Sequence, residues 1–349
     1  MRKAGVGVKL VDDANMFVLD RSADLAAIAG DYIERQKMRD LTRQVNDIYR
    51  SESRSELLRE TIAEAITNLP EIEVPFTATP KSGKKTLFVG IGDIHYGAKI
   101  KVEGLMGETL NEYDSEIFEQ RMWKLASEID SICEKEDIGE ISVFLMGDLI
   151  DGMLRQNQLM NLQYGIVEST MRLSEFLAKW LSELTQFALV SVCAVSGNHS
   201  EVRPLGSKKG QFEDENMEKI VMWYVHERLK SNLRVLVIPE VKKMHLVEMQ
   251  GFSFLLLHGD GEKKISEIAR NAVNLYGKPI DFFVCAHKHC EQEFPSGWTS
   301  DGNSVIIRVP SICGATSFAT NKGYGGRAGA IATVVEADYG RRCIYPIKL

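Results

Sequence analysis

Gly147-Asp148-Leu149-Ile150-Asp151 closes the apolar run Ile141-Ser142-Val143-Phe144-Leu145-Met146. The run reads as a buried strand, and it delivers two aspartates to its C-terminal tip. Four other short stretches repeat the arrangement: Asp93-Ile94-His95, Gly197-Asn198-His199-Ser200-Glu201, His258-Gly259-Asp260 and Ala286-His287-Lys288-His289. Each follows an apolar run. Open α/β sheets gather ligands at the carboxyl ends of their strands. Five strand tips therefore bring Asp, Asn and His side chains to one place.

Working outward, apolar runs at 86–92, 140–146 and 187–195 read as strands, and helical spacing fills 115–134, 163–184, 212–229 and 265–275. Residues 245–249 and 252–258 read as a hairpin turning at Gln250-Gly251. From Ser304 the chain is strand-rich, at 305–309, 330–335 and 343–347. Strands alternating with helices first, and hairpins later, predict an α/β fold: two mixed β-sheets packed as a sandwich flanked by helices. Trp123, Trp180 and Trp223 lie on helical patterns and are read as core.

Ahead of this lies a different region. After a short strand at 7–11, Leu41, Val45, Ile48 and Tyr49 recur at helical spacing, as do Leu58, Ile62, Ala65, Ile66 and Leu69. Ser51-Glu52-Ser53-Arg54-Ser55 reads as a break, with Ser53 and Glu56 as a capping box for a second helix. Residues 71–85 hold Pro75, Pro80, Ser82 and Gly83 and read as a linker. The division expected is an N-terminal helical arm and linker at 1–80 and the main domain at 81–349. The arm's apolar stripe has to face something: the main domain, a partner protein, or the same arm in a homo-oligomer.

Of the 349 residues, 44% are apolar, which suits a globular chain. No apolar run approaches the ~20 residues that cross a bilayer. The basic start Met1-Arg2-Lys3 is followed by Lys9, Asp12 and Asp13, which do not make a signal peptide. Six cysteines show no C-x-x-C spacing and read as reduced thiols. A cytoplasmic protein with no membrane partner is expected. The net charge of −7 gives no chain-wide support for nucleic-acid binding. Bound metal ions would add local positive charge that such counting misses.

Five of the seven histidines, His95, His199, His258, His287 and His289, lie in the strand-tip turns. Imidazole and carboxylate ligands without thiolate suit Mn²⁺, Fe²⁺ or Zn²⁺. There are too many for one tetrahedral ion, whereas a pair of ions sharing one carboxylate uses them all. Two such metals, ~3.5–4 Å apart, clamp the attacking and leaving oxygens of a phosphoryl displacement.

The ordered set D-x-H, G-D-x-x-D, G-N-H, H and A-H-x-H resembles the calcineurin-like metallophosphoesterase superfamily over residues 86–349. The resemblance implies that Asp93, His95 and His289 hold a first metal. Asn198, His258 and His287 would hold a second, with Asp148 bridging. His199 would face the substrate phosphate as a catalytic residue, oriented by Asp151. Ala286 stands where the last motif usually has glycine, with no loss of ligands expected. Asp151 is followed by Gly152-Met153, not by the Arg-Gly of the protein phosphatases. Asp93-Ile94-His95-Tyr96-Gly97 looks more like the nuclease subunits of DNA double-strand-break repair complexes. The arm and the tail look like phage-encoded repair exonucleases, which would work in the host cytoplasm.

The function this implies is a dinuclear phosphodiesterase, a DNA nuclease of the exonuclease type, hydrolysing by a metal-bridging hydroxide. Its cofactors would be two divalent ions, Mn²⁺ first, with Fe²⁺, Zn²⁺ or Mg²⁺ as alternatives. Arg203, Lys263, Lys264 and Arg327 would track a DNA backbone electrostatically, and read equally well as solvated loop charges. One alternative is a phosphatase or phosphodiesterase acting on a small nucleotide or a phosphoprotein. Another is a partner-binding scaffold whose metal centre is structural.

Overall fold

A computed structural model describes residues 7–11, 16–20, 22–73, 81, 83–152, 162–202, 215–261, 265–299, 302–321 and 326–349. The chain divides into two compact units, Met1–Ala65 and Ile66–Leu349. In the first, strands β1 (Gly7–Val11) and β2 (Met16–Asp20) pair antiparallel, with Gly7 opposite Asp20. They lead into helix α1, Ser22–Thr67. The break expected at residues 51–55 does not occur, and α1 runs straight through it. No glycine or proline lies between Asp31 and Leu69, and Arg, Glu and Leu recur throughout. Three serines at ~0.5 kcal/mol each do not stop such a helix. Within α1, the Thr42 and Thr61 hydroxyls donate to the carbonyls of Met38 and Leu57 at 2.7 and 2.8 Å. Hydroxyls that bond back into the helix do not compete with it for its own N–H groups.

The second unit runs through β3 (Lys85–Ile91), the pair β4 (Ile100–Glu103) and β5 (Thr109–Tyr113), α2 (Ser115–Glu136), β6 (Glu140–Leu145), α3 (Ile166–Leu184), β7 (Leu189–Ala194), α4 (Met217–Arg228) and β8 (Val235–Val237). It continues through β9 (Met244–Met249), β10 (Phe252–Leu257), α5 (Ile265–Tyr276), β11 (Phe282–Cys285), β12 (Gln292–Thr299), β13 (Gly302–Arg308), α6 (Ser317–Asn321), β14 (Gly329–Glu336) and β15 (Gly340–Lys348). One sheet has the order β15-β14-β3-β6-β7-β8 and the other β12-β13-β11-β10-β9. Both are mixed. β3, β6, β7 and β8 run parallel, with β14 antiparallel to β3. β10, β11 and β13 run parallel, with β9 and β12 antiparallel at the edges.

The two-residue period of a strand sorts the side chains into layers. Leu87, Val89 and Ile91 of β3, with Ile141, Val143 and Leu145 of β6, pack with Phe118, Met122 and Leu125 of α2 and Leu173, Leu177 and Trp180 of α3. Their neighbours Phe88 and Phe144 point the other way and meet Phe254, Leu256 and Val284 of the second sheet. Leu255, Leu257 and Phe283 leave that sheet on its far side, towards Ala272 of α5. The α/β architecture expected from the sequence is therefore present, with a sheet-to-sheet core and helices outside.

The caps are local and legible. Asp114 accepts the Ile117 N–H at 2.9 Å to start α2, and Asn216 accepts the Glu218 N–H at 2.8 Å to start α4. Trp123 departs from expectation. Phe118, Met122, Leu125 and Ile129 form the buried stripe of α2, and Trp123 lies one position off it, 42% exposed. Among the described residues, no helix is long and apolar enough to cross a membrane.

Candidate metal centre

Parallel strands β3, β6 and β7 end side by side, and β10 and β11 end together in the facing sheet. The turns beyond them stay tied. Asp93 N–H donates to the Gly147 carbonyl at 3.2 Å, His95 N–H to that of Asp148 at 2.9 Å, and Ala286 N–H to that of His258 at 2.9 Å. These bonds carry the strand ladders past the ends of the sheets and fix the turns against one another.

Each central aspartate then spends one oxygen on the scaffold and turns the other inward. Asp93 Oδ2 accepts the His287 N–H at 2.9 Å. Asp93 Oδ1 is buried with no hydrogen-bond partner, 3.6 Å from His289 Nε2 and 3.9 Å from His95 Nε2. Asp148 Oδ1 accepts the His199 N–H at 2.7 Å. Asp148 Oδ2 lies 3.0 Å from His258 Nε2 and 4.0 Å from His95 Nε2, so one oxygen faces two groups of ligands.

The histidines are oriented from behind. His258 Nδ1 lies 2.7 Å from the Met146 carbonyl and His289 Nδ1 3.3 Å from that of Gly314. A carbonyl can only accept, so Nδ1 carries a proton and Nε2 is the atom turned inward. Asp151 Oδ1 does this for two rings at once, at 3.3 Å from His95 Nδ1 and 2.8 Å from His199 Nδ1. His287 presents Nδ1 instead, 3.2 Å from His258 Nε2.

Burial and mutual charge set the protonation states in the cluster. Burial raises the Asp93 carboxyl to about 6. Asp148 is buried too, yet the His258 and His199 imidazoles hold it well below the usual carboxylate range. His258, though buried, is pushed up to about 10 by Asp148. Burial, and then His258, drive His287 down to about 3, and burial drives His289 down to about 4, so both are neutral lone-pair donors. Metal ligands need that protonation state. The buried Asp93 Oδ1 and His95 Nε2, both without hydrogen-bond partners, and the donor set of imidazole and carboxylate fit divalent cations. Asp93, His95, His289 and Asp148 line one position. Asp148, His258 and His287 line the other, their ligand atoms within 4.8 Å of one another. Asn198, 9% exposed, lies in the turn that follows β7.

The backbone supplies what residue types alone did not announce. Asp93, His95, Asp148, His287 and His289 all have φ between 49° and 69°. Left-handed backbone is uncommon outside glycine and costs ~1–2 kcal/mol per residue. Among the described residues only three other non-glycine residues share it, apart from these five ligands. A second group missed by sequence reading is Glu218, the second residue of α4, fully buried. Its carboxylate accepts the Leu149 N–H at 3.0 Å, the Gly197 N–H at 2.7 Å and the Ser200 hydroxyl at 2.9 Å. It thereby ties the Asp148 turn to the Asn198-His199 turn. Burial, then Asp148, raise it to about 7 against the pull of those donors. The third is Asn111 of β5, which donates to the Cys313 and Ala315 carbonyls at 2.9 and 2.7 Å and so flanks the Gly314 carbonyl behind His289.

Of the residues expected to touch substrate, Arg203, Lys263 and Lys264 lie outside the described residues, and Arg327 is exposed. Ala286 in place of glycine is buried and leaves both neighbouring histidines in position.

No family model matches the chain. A curated relative, the SPbeta prophage-derived uncharacterized protein YonJ of Bacillus subtilis, is 28% identical over 312 residues, covering 88% of this chain and 76% of its own. Similar solved structures include Vps29 complexed with zinc from Entamoeba histolytica, at 11% identity over 75% of this chain and 98% of that one, TM-score 0.35. A metallophosphoesterase from Sphaerobacter thermophilus follows at 10% identity, 75% and 88% coverage and TM-score 0.31. These likenesses are low. The two-sheet architecture described above is the fold that the sequence resemblance implies.

Proposed function

We propose that this protein is a dinuclear metal-dependent phosphodiesterase acting on DNA. The observation that carries the reading is the Asp148 carboxylate, whose Oδ2 faces His258 on one side and His95 on the other. Two divalent ions there would supply Lewis acidity and a hydroxide nucleophile at neutral pH. Asp93, His95 and His289 would hold the first, Asn198, His258 and His287 the second, with Asp148 shared.

His199 has a separate task. Its Nδ1 is engaged by Asp151, which leaves Nε2 for the substrate. Burial works to lower its pKa, but Asp148 and Asp151 outweigh that and raise it, favouring a proton on Nε2. A cationic imidazole beside the metals stabilises charge on a departing oxygen. A diester releases an alkoxide, which needs that neutralisation. A structural metal centre has no use for such a residue, which favours an enzyme over a scaffold. DNA as the diester rests on the Asp93-Ile94-His95-Tyr96-Gly97 stretch, similar to repair nucleases, and on the prophage origin of the relative in Bacillus subtilis.

The test is a Mn²⁺-reconstituted assay on labelled single-stranded DNA, duplex DNA, a chromogenic diester and a monoester. The proposal expects DNA cleavage that depends on metal and is lost in His199→Ala. Efficient hydrolysis of a nucleotide or monoester with no cleavage of DNA would replace it with the small-substrate alternative.

A further inference from the structure

A polar cavity of about 190 Å³ lies within the unit Ile66–Leu349, where helices α3 and α4 end. Two arginines line it: Arg228, the last residue of α4, and Arg234, just before β8. Arg228 is already engaged. Its side chain is 8% exposed, its Nε lies 3.2 Å from Glu175 Oε2, and its Nη2 donates to the Pro70 carbonyl at 2.8 Å. Arg234 donates through Nε to the Thr185 carbonyl at 3.0 Å, which caps the end of α3. Its Nη2 is buried with no hydrogen-bond partner. Among the described residues, no carboxylate forms an ion pair with it. Glu71 lines the cavity from its exposed side and pairs with neither arginine. The Ser182 hydroxyl, 3.2 Å from the Asn232 side-chain nitrogen, and the exposed Ser231 lie on the same lining. A guanidinium is always charged, and its fork of donors matches an oxyanion. A buried charged donor left unmatched costs more than a neutral one. The cavity therefore holds a positive charge and a donor that the chain itself does not satisfy.

We propose that this cavity is a binding site for a small tetrahedral oxyanion, a phosphoryl group, held by Arg234 with Arg228, Ser182 and Ser231 around it. The size fits the class of ligand: the cavity is smaller than the ~300–1,000 Å³ of pockets that enclose drug-sized molecules. The site is separate from the metal centre. Glu218, at the start of α4, reaches the turn that carries Asp148, and Arg228 lies ten residues further along the same helix, about 15 Å at 1.5 Å per residue. The ion supplies the counter-charge that Arg234 lacks. Arg228 also holds the Pro70 carbonyl, and Glu71 and Ile72 belong to the lining. An ion bound here fastens the segment that follows α1 to the ends of α3 and α4, so it stabilises the fold when it binds. Nothing in this inference depends on the phosphodiesterase reading.

The experiment is calorimetric titration of the full-length protein with inorganic phosphate and with sulfate, at constant ionic strength and in EDTA, so that no metal ion can hold the anion. The expected result is saturation at one ion per chain, with a melting temperature that rises as the ion is added. Affinity should fall roughly tenfold or more in Arg234→Gln, which removes a charge-assisted donor, and persist in His199→Ala. Ser231→Asp is the second variant. Ser231 is exposed, so the fold tolerates the change, and a carboxylate at the cavity repels the ion and weakens binding without touching Arg234. Glu71→Gln should tighten it, by removing a like charge from the lining. A 5′-mononucleotide, titrated in parallel, tells the source. Binding like that of phosphate identifies a phosphoryl group on a larger molecule, and binding of phosphate alone identifies the free ion; either supports the site. Absence of saturable binding by the wild-type chain overturns the proposal without any variant, as does equal competition by chloride. Binding that survives both Arg234→Gln and Ser231→Asp overturns it too, because the anion then sits elsewhere.

Discussion

Asp93, His95, Asp148, His287 and His289 carry left-handed backbone because their side chains have to turn off a strand end and back towards a common point. The ligand types were legible in the sequence, since five His- or Asp-bearing tips after apolar runs leave few other readings. The conformation was not, because nothing in residue identity announces a positive φ at aspartate or histidine. Glu218 was illegible for a related reason: a glutamate in the first turn of a helix ordinarily reads as an exposed partner of the helix dipole. Here it is the acceptor for three donors from two turns. Glu218→Ala strands those donors in the interior, at ~1–3 kcal/mol for each unsatisfied group. The expected outcome is a melting temperature lower by several degrees and weakened metal binding, read by calorimetry. An unchanged melting point would show that water replaces the carboxylate. His199→Ala should behave oppositely: two metals retained by elemental analysis, with turnover reduced ~10²–10⁴-fold. Loss of metal in that variant would make His199 a ligand.

At the level of elements, the strand tips leave little room. A Cβ on Gly197 would stand 2.0 Å from the Asp148 amide nitrogen and 2.3 Å from its Oδ1. Both are atoms of the turn itself, so nothing flexible can give way. Gly197→Ala should cost ~3 kcal/mol or more and displace Asp148, measured as denaturant midpoint and as manganese stoichiometry below two. Gly261→Ala, with nothing within 4 Å of its Cβ, serves as the control. The β4–β5 pair acts from further out. Asn111 clasps the loop behind His289, with Arg121 holding the Ile312 carbonyl at 2.8 Å and Asn111 Oδ1 at 3.0 Å. Asn111→Ala should weaken one of two manganese sites ~10–100-fold and spare the other, a split that titration calorimetry resolves. Equal loss at both would mean the pair supports the fold rather than His289. The strands that build the two sheet cores were readable from apolar runs. This pair was not, because Lys101, Glu103, Glu108 and Glu112 give it a polar, loop-like sequence. The continuous α1 was misread for the converse reason. Serines suggest a break, but a helix stops only where its hydrogen bonds or its backbone fail.

On the scale of the whole molecule, every candidate ligand lies in the unit Ile66–Leu349, and the unit Met1–Ala65 contributes none. The linker pattern suggests a cut near residue 81, but the contacts place it earlier. Ile66 is buried, Ile72 packs against the helix-side core, and Arg228 donates to the Pro70 carbonyl at 2.8 Å. A chain beginning at residue 81 would lose all three and uncover apolar surface that they protect. A chain beginning at residue 66 keeps them. The 66–349 chain should therefore fold, bind two manganese ions and hydrolyse a small chromogenic diester at a rate within about twofold of full length, since a small diester reaches only the metal centre. The 81–349 chain should be less stable by ~2–4 kcal/mol, on the burial of two isoleucine side chains and one charge-assisted hydrogen bond. If residues 1–65 serve assembly or long substrates, their removal changes the mass in solution, read by light scattering, or the binding of long DNA relative to the small diester. An insoluble or metal-free 66–349 chain would place the arm within the folding unit and overturn the division.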